Sequence, residues 1–253
     1  MMTVTRPKLH VILQKEAIVP ELIDKDKVAV VFDVLLATTT IATLLHHGAK
    51  EVIPVMNGEE ALRVAGSFEK TTVIIAGESE GLTIEGFVDP LPSKLKQVAK
   101  GKTIILSTTN GTVAIRHVAN AKKVFAASLI NGQAVAQKVA IEHVDDSVIL
   151  ICAGTMKQFS LEDFYGAGYF IDELLQQNES WDLTDSAKAA LYFYRGNKEN
   201  SVSILKTSLT GQMLMQAHLE EDILYSASRG MIEVVPEFDN GNMIVKGDKA
   251  IDY

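Results

Sequence analysis

Runs that are apolar at every position, separated by amphipathic segments of helical length, constrain the fold of this chain more than any other feature. Val28-Ala29-Val30-Val31-Phe32 and Val148-Ile149-Leu150-Ile151-Cys152 show no alternation with polar residues. Such strands must be covered on both faces, as in a parallel or mixed sheet packed between helices. Strands are expected over 10–13, 28–34, 51–55, 72–76, 103–107, 123–127, 147–152 and 231–235. Helices are expected over 39–47, 58–67, 111–118, 132–144, 161–177, 185–193 and 211–219, with a surface loop over 195–201. The fold class is α/β, a three-layer sandwich around a mostly parallel or mixed sheet. No Pro/Gly/Ser linker divides the 253 residues, so the chain reads as one domain, 1–253, or two closely packed lobes.

One strand–turn–helix unit occurs twice. Val34-Leu35-Leu36-Ala37-Thr38-Thr39-Thr40-Ile41-Ala42 and Leu106-Ser107-Thr108-Thr109-Asn110-Gly111-Thr112-Val113-Ala114 stand 72 residues apart. The correspondence continues without a gap to Ala49-Lys50-Glu51-Val52-Ile53 and Ala121-Lys122-Lys123-Val124-Phe125. Gly48 follows the first helix where a left-handed stop belongs, and Asn120 holds the matching place after the second. Internal duplication and convergence on common turn chemistry both account for this. Each unit passes from apolar residues to hydroxyls where a helix begins, which favours bound anions. Plain helix capping is the competing reading of the same residues.

The formal net charge is −8 with no basic run, which argues against nucleic acid as the main partner. Small anions are not excluded by it, because a local site can be positive on an acidic protein. The longest apolar stretches are too short to span a bilayer, and the segment 1–7 has no apolar run after its basic residues, so neither a membrane span nor a secretory signal is expected. The single cysteine, Cys152, excludes an intrachain disulfide and fits a reducing, cytoplasmic setting. At the end of an apolar strand it reads as a core residue rather than a nucleophile. Homo-oligomer formation is left open.

The order of several short motifs is more specific than any one of them. Asp33-Val34-Leu35 with Ala37-Thr38-Thr39-Thr40-Ile41, then Ala76-Gly77-Glu78, Glu85-Gly86-Phe87, Thr108-Thr109-Asn110-Gly111-Thr112, Cys152-Ala153-Gly154 and Phe159-Ser160-Leu161-Glu162-Asp163 follow one another. In this the chain resembles the 2-phosphosulfolactate phosphatases, from about Val28 to Pro236. The resemblance implies a Mg²⁺-dependent phosphatase that hydrolyses 2-phospho-3-sulfolactate to sulfolactate and phosphate, a step associated with coenzyme M synthesis. The fold it implies is an unusual α/β sandwich, unlike that of the haloacid dehalogenases.

The residues are compatible with that chemistry, which needs a cradle for phosphate oxygens, a metal and an oriented water or nucleophile. Thr38, Thr39, Thr40, Thr108, Thr109, Gly111 and Thr112 are the candidate substrate-binding residues, Gly111 because it lets backbone approach a ligand. Asp33, Glu78, Glu85, Glu162 and Asp163 are the acidic residues beside these turns, suited to a hard cation. Of these, Asp33, Glu78 and Glu85 are the candidate Mg²⁺ ligands; Asp33, Glu78, Asn110 and Asp163 are the candidate catalytic set. Asp33 is the strongest of them, since a charge inside an apolar run is costly to bury unpaired. Glu162 and Asp163 also suit a helix start with no ligand at all.

Two departures bear on the substrate. Leu36 stands where the family has an arginine, whose guanidinium suits phosphate or sulfonate. The loop Val88-Asp89-Pro90-Leu91-Pro92-Ser93 replaces a family pattern of Asp followed by Gly-Asn-Ser-Pro. Arg63, Lys94 and Arg229 are the cations expected to compensate. The leading reading is a phosphatase of a small anionic phosphoester. The alternative is a non-catalytic or substrate-altered relative that binds a phosphorylated or sulfonated ligand. A nucleotide-binding protein ranks last, because no Gly-x-x-x-x-Gly-Lys-Ser/Thr loop and no Gly-x-Gly-x-x-Gly after a strand is present.

Overall fold

The computed structural model describes residues 6–246 other than 24 and 179. Residues 1–5, part of the stretch expected to carry no secretory signal, lie outside them. The strands are β1 (Lys8–Ile12), β2 (Lys27–Phe32), β3 (Glu51–Val55), β4 (Val73–Ser79), β5 (Leu82–Thr83), β6 (Thr103–Ser107), β7 (Lys123–Ala127), β8 (Ser147–Cys152), β9 (Asp182–Leu183), β10 (Pro236–Asp239) and β11 (Asn242–Val245). The helices are α1 (Ala37–His46), α2 (Gly58–Ala65), α3 (Pro92–Leu95), α4 (Gly111–His117), α5 (Gly132–Glu142), α6 (Leu161–Gln177), α7 (Asp185–Gly196), α8 (Ser201–Thr207), α9 (Leu209–Gln216) and α10 (Glu220–Ser226).

All the strands join one mixed sheet in the order β5-β4-β6-β3-β11-β10-β7-β2-β8-β1-β9. β4, β6 and β3 form one parallel block, and β7, β2, β8, β1 and β9 form another. The antiparallel hairpin β10–β11 lies between the blocks, touching β7 at Glu237↔Phe125 and β3 at Met243↔Val52. β2, α1 and β3 cross from the second block to the first, whereas β6, α4 and β7 cross back. Counted outward from the hairpin, one block reads β3-β6-β4 and the other β7-β2-β8, so β6 and β2 hold matching places.

Both faces of the sheet are covered, which is why its strands lack alternation. Val28, Val30 and Phe32 of β2 pack with Val135, Val139, Phe170 and Leu191 from α5, α6 and α7. Ala29 and Val31 face the other way and pack with Ile41, Leu44 and Ile115 from α1 and α4.

Strands β3, β6, β7 and β8 and helix α6 have the bounds expected from sequence, but other expectations are corrected. β2 stops at Phe32 because Asp33 and Val34 enter the turn to α1. No strand forms over 231–235. The chain pairs only from Pro236, around an Asn240-Gly241 turn with φ of 49° and 95°, the positive values that a tight hairpin needs. α9 starts early, at Leu209, because the Ser208 hydroxyl accepts the Gly211 amide at 3.1 Å. α7 runs through Gly196 into the expected loop, and α3, α8 and α10 form where no helix was expected. Gly48 does adopt φ +82° after α1, whereas Asn120 is not among the described residues with positive φ.

Met243, fully buried between the blocks, reports on the hairpin's contribution. Met243→Ala is expected to lower stability by about 2–5 kcal/mol, read from the denaturant midpoint. A loss under 0.5 kcal/mol would show that the hairpin is not anchored there.

Candidate active site

The carboxyl ends of β2 and β6 lead into two similarly built turns. The Thr38 hydroxyl donates to the Asp33 carbonyl at 2.9 Å and accepts the Asp33 amide at 3.1 Å. After β6, the Thr112 hydroxyl donates to the Thr108 carbonyl and accepts the Thr108 amide, both at 3.0 Å. Thr38 and Thr112 thus do the same work 74 residues apart, although β3 and β7 begin 72 apart. The gapless correspondence breaks in the turn, which has four residues before α1 and three before α4.

The threonine hydroxyls expected to cradle a ligand are largely committed to the backbone. Thr39 donates to the Val34 carbonyl at 2.9 Å, and Thr40 to the Pro90 carbonyl at 2.8 Å, tying the 88–93 loop to α1. Thr108 accepts the Thr112 amide at 3.1 Å. Thr38, Thr39, Thr40 and Thr112 have no exposed surface, and Thr108 has little. Hydroxyls this close to their own backbone build turns before they meet ligands. Thr109 and Asn110 remain half-buried, and Asn110 does not cap its own helix.

Asp33 sits where the two units meet. Its carboxylate accepts the Ala37 amide at 3.3 Å and also the Gly111 amide, the first residues of α1 and α4. A Cβ on Gly111 would lie 2.6 Å from Asp33 Oδ2 and 2.6 Å from the Ala37 Cβ, so only glycine fits. Burial pushes the Asp33 carboxyl up to about 7, and the Glu78 and Glu162 carboxylates add to the rise against these amide bonds.

The acidic residues of α6 complete the cluster. Asp163 accepts the Val34 amide at 2.8 Å and the Gly154 amide at 3.1 Å, clamping the turns after β2 and β8. Burial and the neighbouring Glu162 and Asp33 raise its carboxyl well above the usual range. Glu162 is only 2% exposed, and its side chain takes no hydrogen bond or ion pair from any described residue. Glu78 is turned aside: it accepts the Thr109 amide at 2.6 Å, the Thr109 hydroxyl at 3.0 Å and the Gly81 amide at 2.8 Å. Glu85 is exposed on the loop after β5. The expected Asp33–Glu78–Glu85 metal site is therefore not assembled: among the described residues no group of three or more His, Cys, Asp or Glu closes around a metal position. Asp33 and Glu162 are both buried here, near enough for Glu162 to raise the Asp33 carboxyl.

The cation at this site is one the motifs missed. Lys15, just after β1, has a side chain 12% exposed; its Nζ donates to Asn110 Oδ1 at 2.8 Å and Glu16 Oε1 at 2.7 Å. The expected cations are engaged by other partners. Arg63 is 78% exposed beside Glu60, and Lys94 pairs with Asp89. Arg229 bonds the Tyr194 hydroxyl at 2.8 Å and lines a cleft of about 490 Å³ with Tyr169, Glu173 and Lys198, apart from the carboxylates. Leu36 packs against the apolar cluster of Val34, Leu35, Tyr165 and Tyr194. Cys152 is fully buried, and burial pushes its thiol further up, with Asp163 and Glu162 adding, as suits an inert core residue.

The profile of the family described as 2-phosphosulpholactate phosphatase matches residues 13–241. The chain belongs to the 2-phosphosulfolactate phosphatase family. It is 36% identical to a probable 2-phosphosulfolactate phosphatase of Clostridium acetobutylicum, over 94% of this chain and 100% of the relative. It is also 39% identical to one of Clostridium perfringens SM101, over 93% and 95%, and 38% identical to one of Clostridium tetani, over 86% and 91%. In this family member the motif aspartate, Asp33, and the glycine facing it, Gly111, form one packed contact.

Gly111→Ala is expected to displace Asp33 and lower stability by about 1–3 kcal/mol. Gly196→Ala, where an added Cβ meets nothing within 4 Å, should be neutral or stabilising. Equal effects of the two in chemical denaturation would refute the tight contact. Asp33 also sets a pH dependence. Its folded carboxyl, raised to about 7 from 3.8, keeps a proton that the unfolded chain releases, so its contribution is present below pH 4 and lost as pH rises to 7. In chelator, Asp33→Asn should flatten the fall in melting temperature between pH 4.5 and pH 7.5; an unchanged slope would assign the dependence elsewhere.

Proposed function

We propose that this chain is a Mg²⁺-dependent phosphatase of small anionic phosphoesters, with 2-phospho-3-sulfolactate as its substrate and sulfolactate and phosphate as products. The observation that carries the reading is the pairing of Asp33 with Glu162, two buried carboxylates at the carboxyl edge of the sheet whose mutual repulsion calls for a cation. The named substrate is that of the Clostridium relatives. The donor set fits Mg²⁺: it consists of oxygens, and this ion is held by one or two carboxylates, with water and phosphate completing its shell. Asp33 and Glu162 would hold it, where it would neutralise phosphoryl charge and activate water.

The chain's own groups supply the rest. Gly111 and Ala37 amides hold the Asp33 carboxylate in place, so its oxygens are fixed before a ligand arrives. Asp163 pins the turns after β2 and β8 and so positions Glu162, its neighbour in α6. Glu78 fixes the Thr109 side of the rim, leaving the Asn110 Nδ2 group without a partner among the described residues and able to donate to a phosphoryl oxygen. Glu162, with no partner among the described residues, is the carboxylate free to meet a ligand, since Asp163 is occupied by two amides.

Leu36 lies in the apolar cluster, so its replacement of the family arginine removes no contact from the carboxylate pair. A phosphate-release assay over small phosphoesters tests the reading. Release should depend on Mg²⁺, and Asp33→Asn and Glu162→Gln should each lower kcat/KM at least a hundredfold while the protein stays folded. Release indifferent to chelator would refute the metal. Mg²⁺-dependent phosphate binding without release would instead favour a non-catalytic ligand-binding relative.

A further inference from the structure

We infer that Lys15 is the cation that grips the phosphoryl group, a role resting on the phosphatase reading above. A phosphoester dianion that meets the edge where Asp33, Glu162, Asp163 and Glu78 gather finds carboxyl oxygens there, so a cationic side chain beside them favours its binding. Lys15 is built to be that side chain. Its amide donates to the Ala153 carbonyl at 3.2 Å, fixing its backbone at the end of β8, and the adjacent Gln14 packs against Gly154. Its stem is buried and its head emerges at the turn between β6 and α4.

An ammonium has three N–H donors. Lys15 spends one on Glu16 and one on Asn110, which leaves one for a ligand. The Asn110 contact places that donor beside Gly111, whose amide already bonds Asp33. Asn110 uses its carbonyl oxygen for Lys15, so its Nδ2 group is left to donate from the same place. Lys15 and Asn110 therefore place two donor groups side by side at the turn before α4, an arrangement suited to non-bridging phosphate oxygens.

The probe is inorganic phosphate, titrated calorimetrically in saturating Mg²⁺, with Mg²⁺ affinity read separately by thermal shift. Lys15→Gln should weaken phosphate binding by about ten- to a hundredfold, the effect of one charge-assisted hydrogen bond. Lys15→Met, which keeps the unbranched stem, should do the same, and Lys15→Arg should stay within about threefold of wild type. Mg²⁺ affinity should be unchanged in all three. Phosphate binding by Lys15→Gln and Lys15→Met within threefold of wild type would overturn the assignment, as would wild-type protein that binds no phosphate. A parallel loss of Mg²⁺ affinity would show that Lys15 only props the Asn110 turn, and would overturn it too. Turnover measured alongside separates the two claims: Lys15-dependent phosphate binding without hydrolysis of any phosphoester would sink the phosphatase reading and leave the role of Lys15 standing.

Discussion

Asp33 ties the two halves of the sheet to one point. Its carboxylate receives the first amide of α1 and the first amide of α4, helices that cross the sheet in opposite senses. An ionised carboxylate without water is costly, and amide hydrogen bonds offset only part of that cost when Glu162 and Glu78 stand nearby. The neighbouring choices follow from it. Gly111 must lack a Cβ, Thr38 and Thr112 must close their turns from within, and Asp163 must hold the Val34 amide so that the strand end keeps its course.

This division of labour separates residues that make the site from residues that face it. Motif threonines satisfy backbone groups that would otherwise be buried without partners, and Asp163 does the same for two amides. Groups with spare capacity are fewer: Glu162 at the start of α6, Asn110 before α4 and Lys15 after β1. Conserving backbone geometry in the turns lets these three be held without a long loop.

Much of the fold was legible because the strands are continuous apolar runs and the longer helices carry a clear period. β3, β6, β7, β8 and α6 come straight from that pattern. The hairpin was not legible: Glu237 and Asp239 interrupt β10, and a four-residue strand has too few positions to show alternation. Leu209, exposed, belongs to α9 only because Ser208 caps it. At the site, Asp33 stood out as a charge in an apolar run. Thr38 and Thr112 looked like ligands because a hydroxyl beside a helix start carries the same letter whether it bonds backbone or substrate. Glu162 and Asp163 are neighbours in sequence, and only the paths of Val34 and Gly154 decide which one is engaged. Lys15 belongs to no motif, since its place is set by pairing of β1 with β8 across more than a hundred residues.

The central hairpin has a consequence for how the sheet is closed. Residues 236–245 fill the middle of the sheet although they follow β1 to β9 in chain order. Until they dock, β3 and β7 each present an open edge of unpaired amides and carbonyls, the kind that recruits other strands. Loss or detachment of this segment therefore leaves two adhesive edges rather than a slightly smaller sheet.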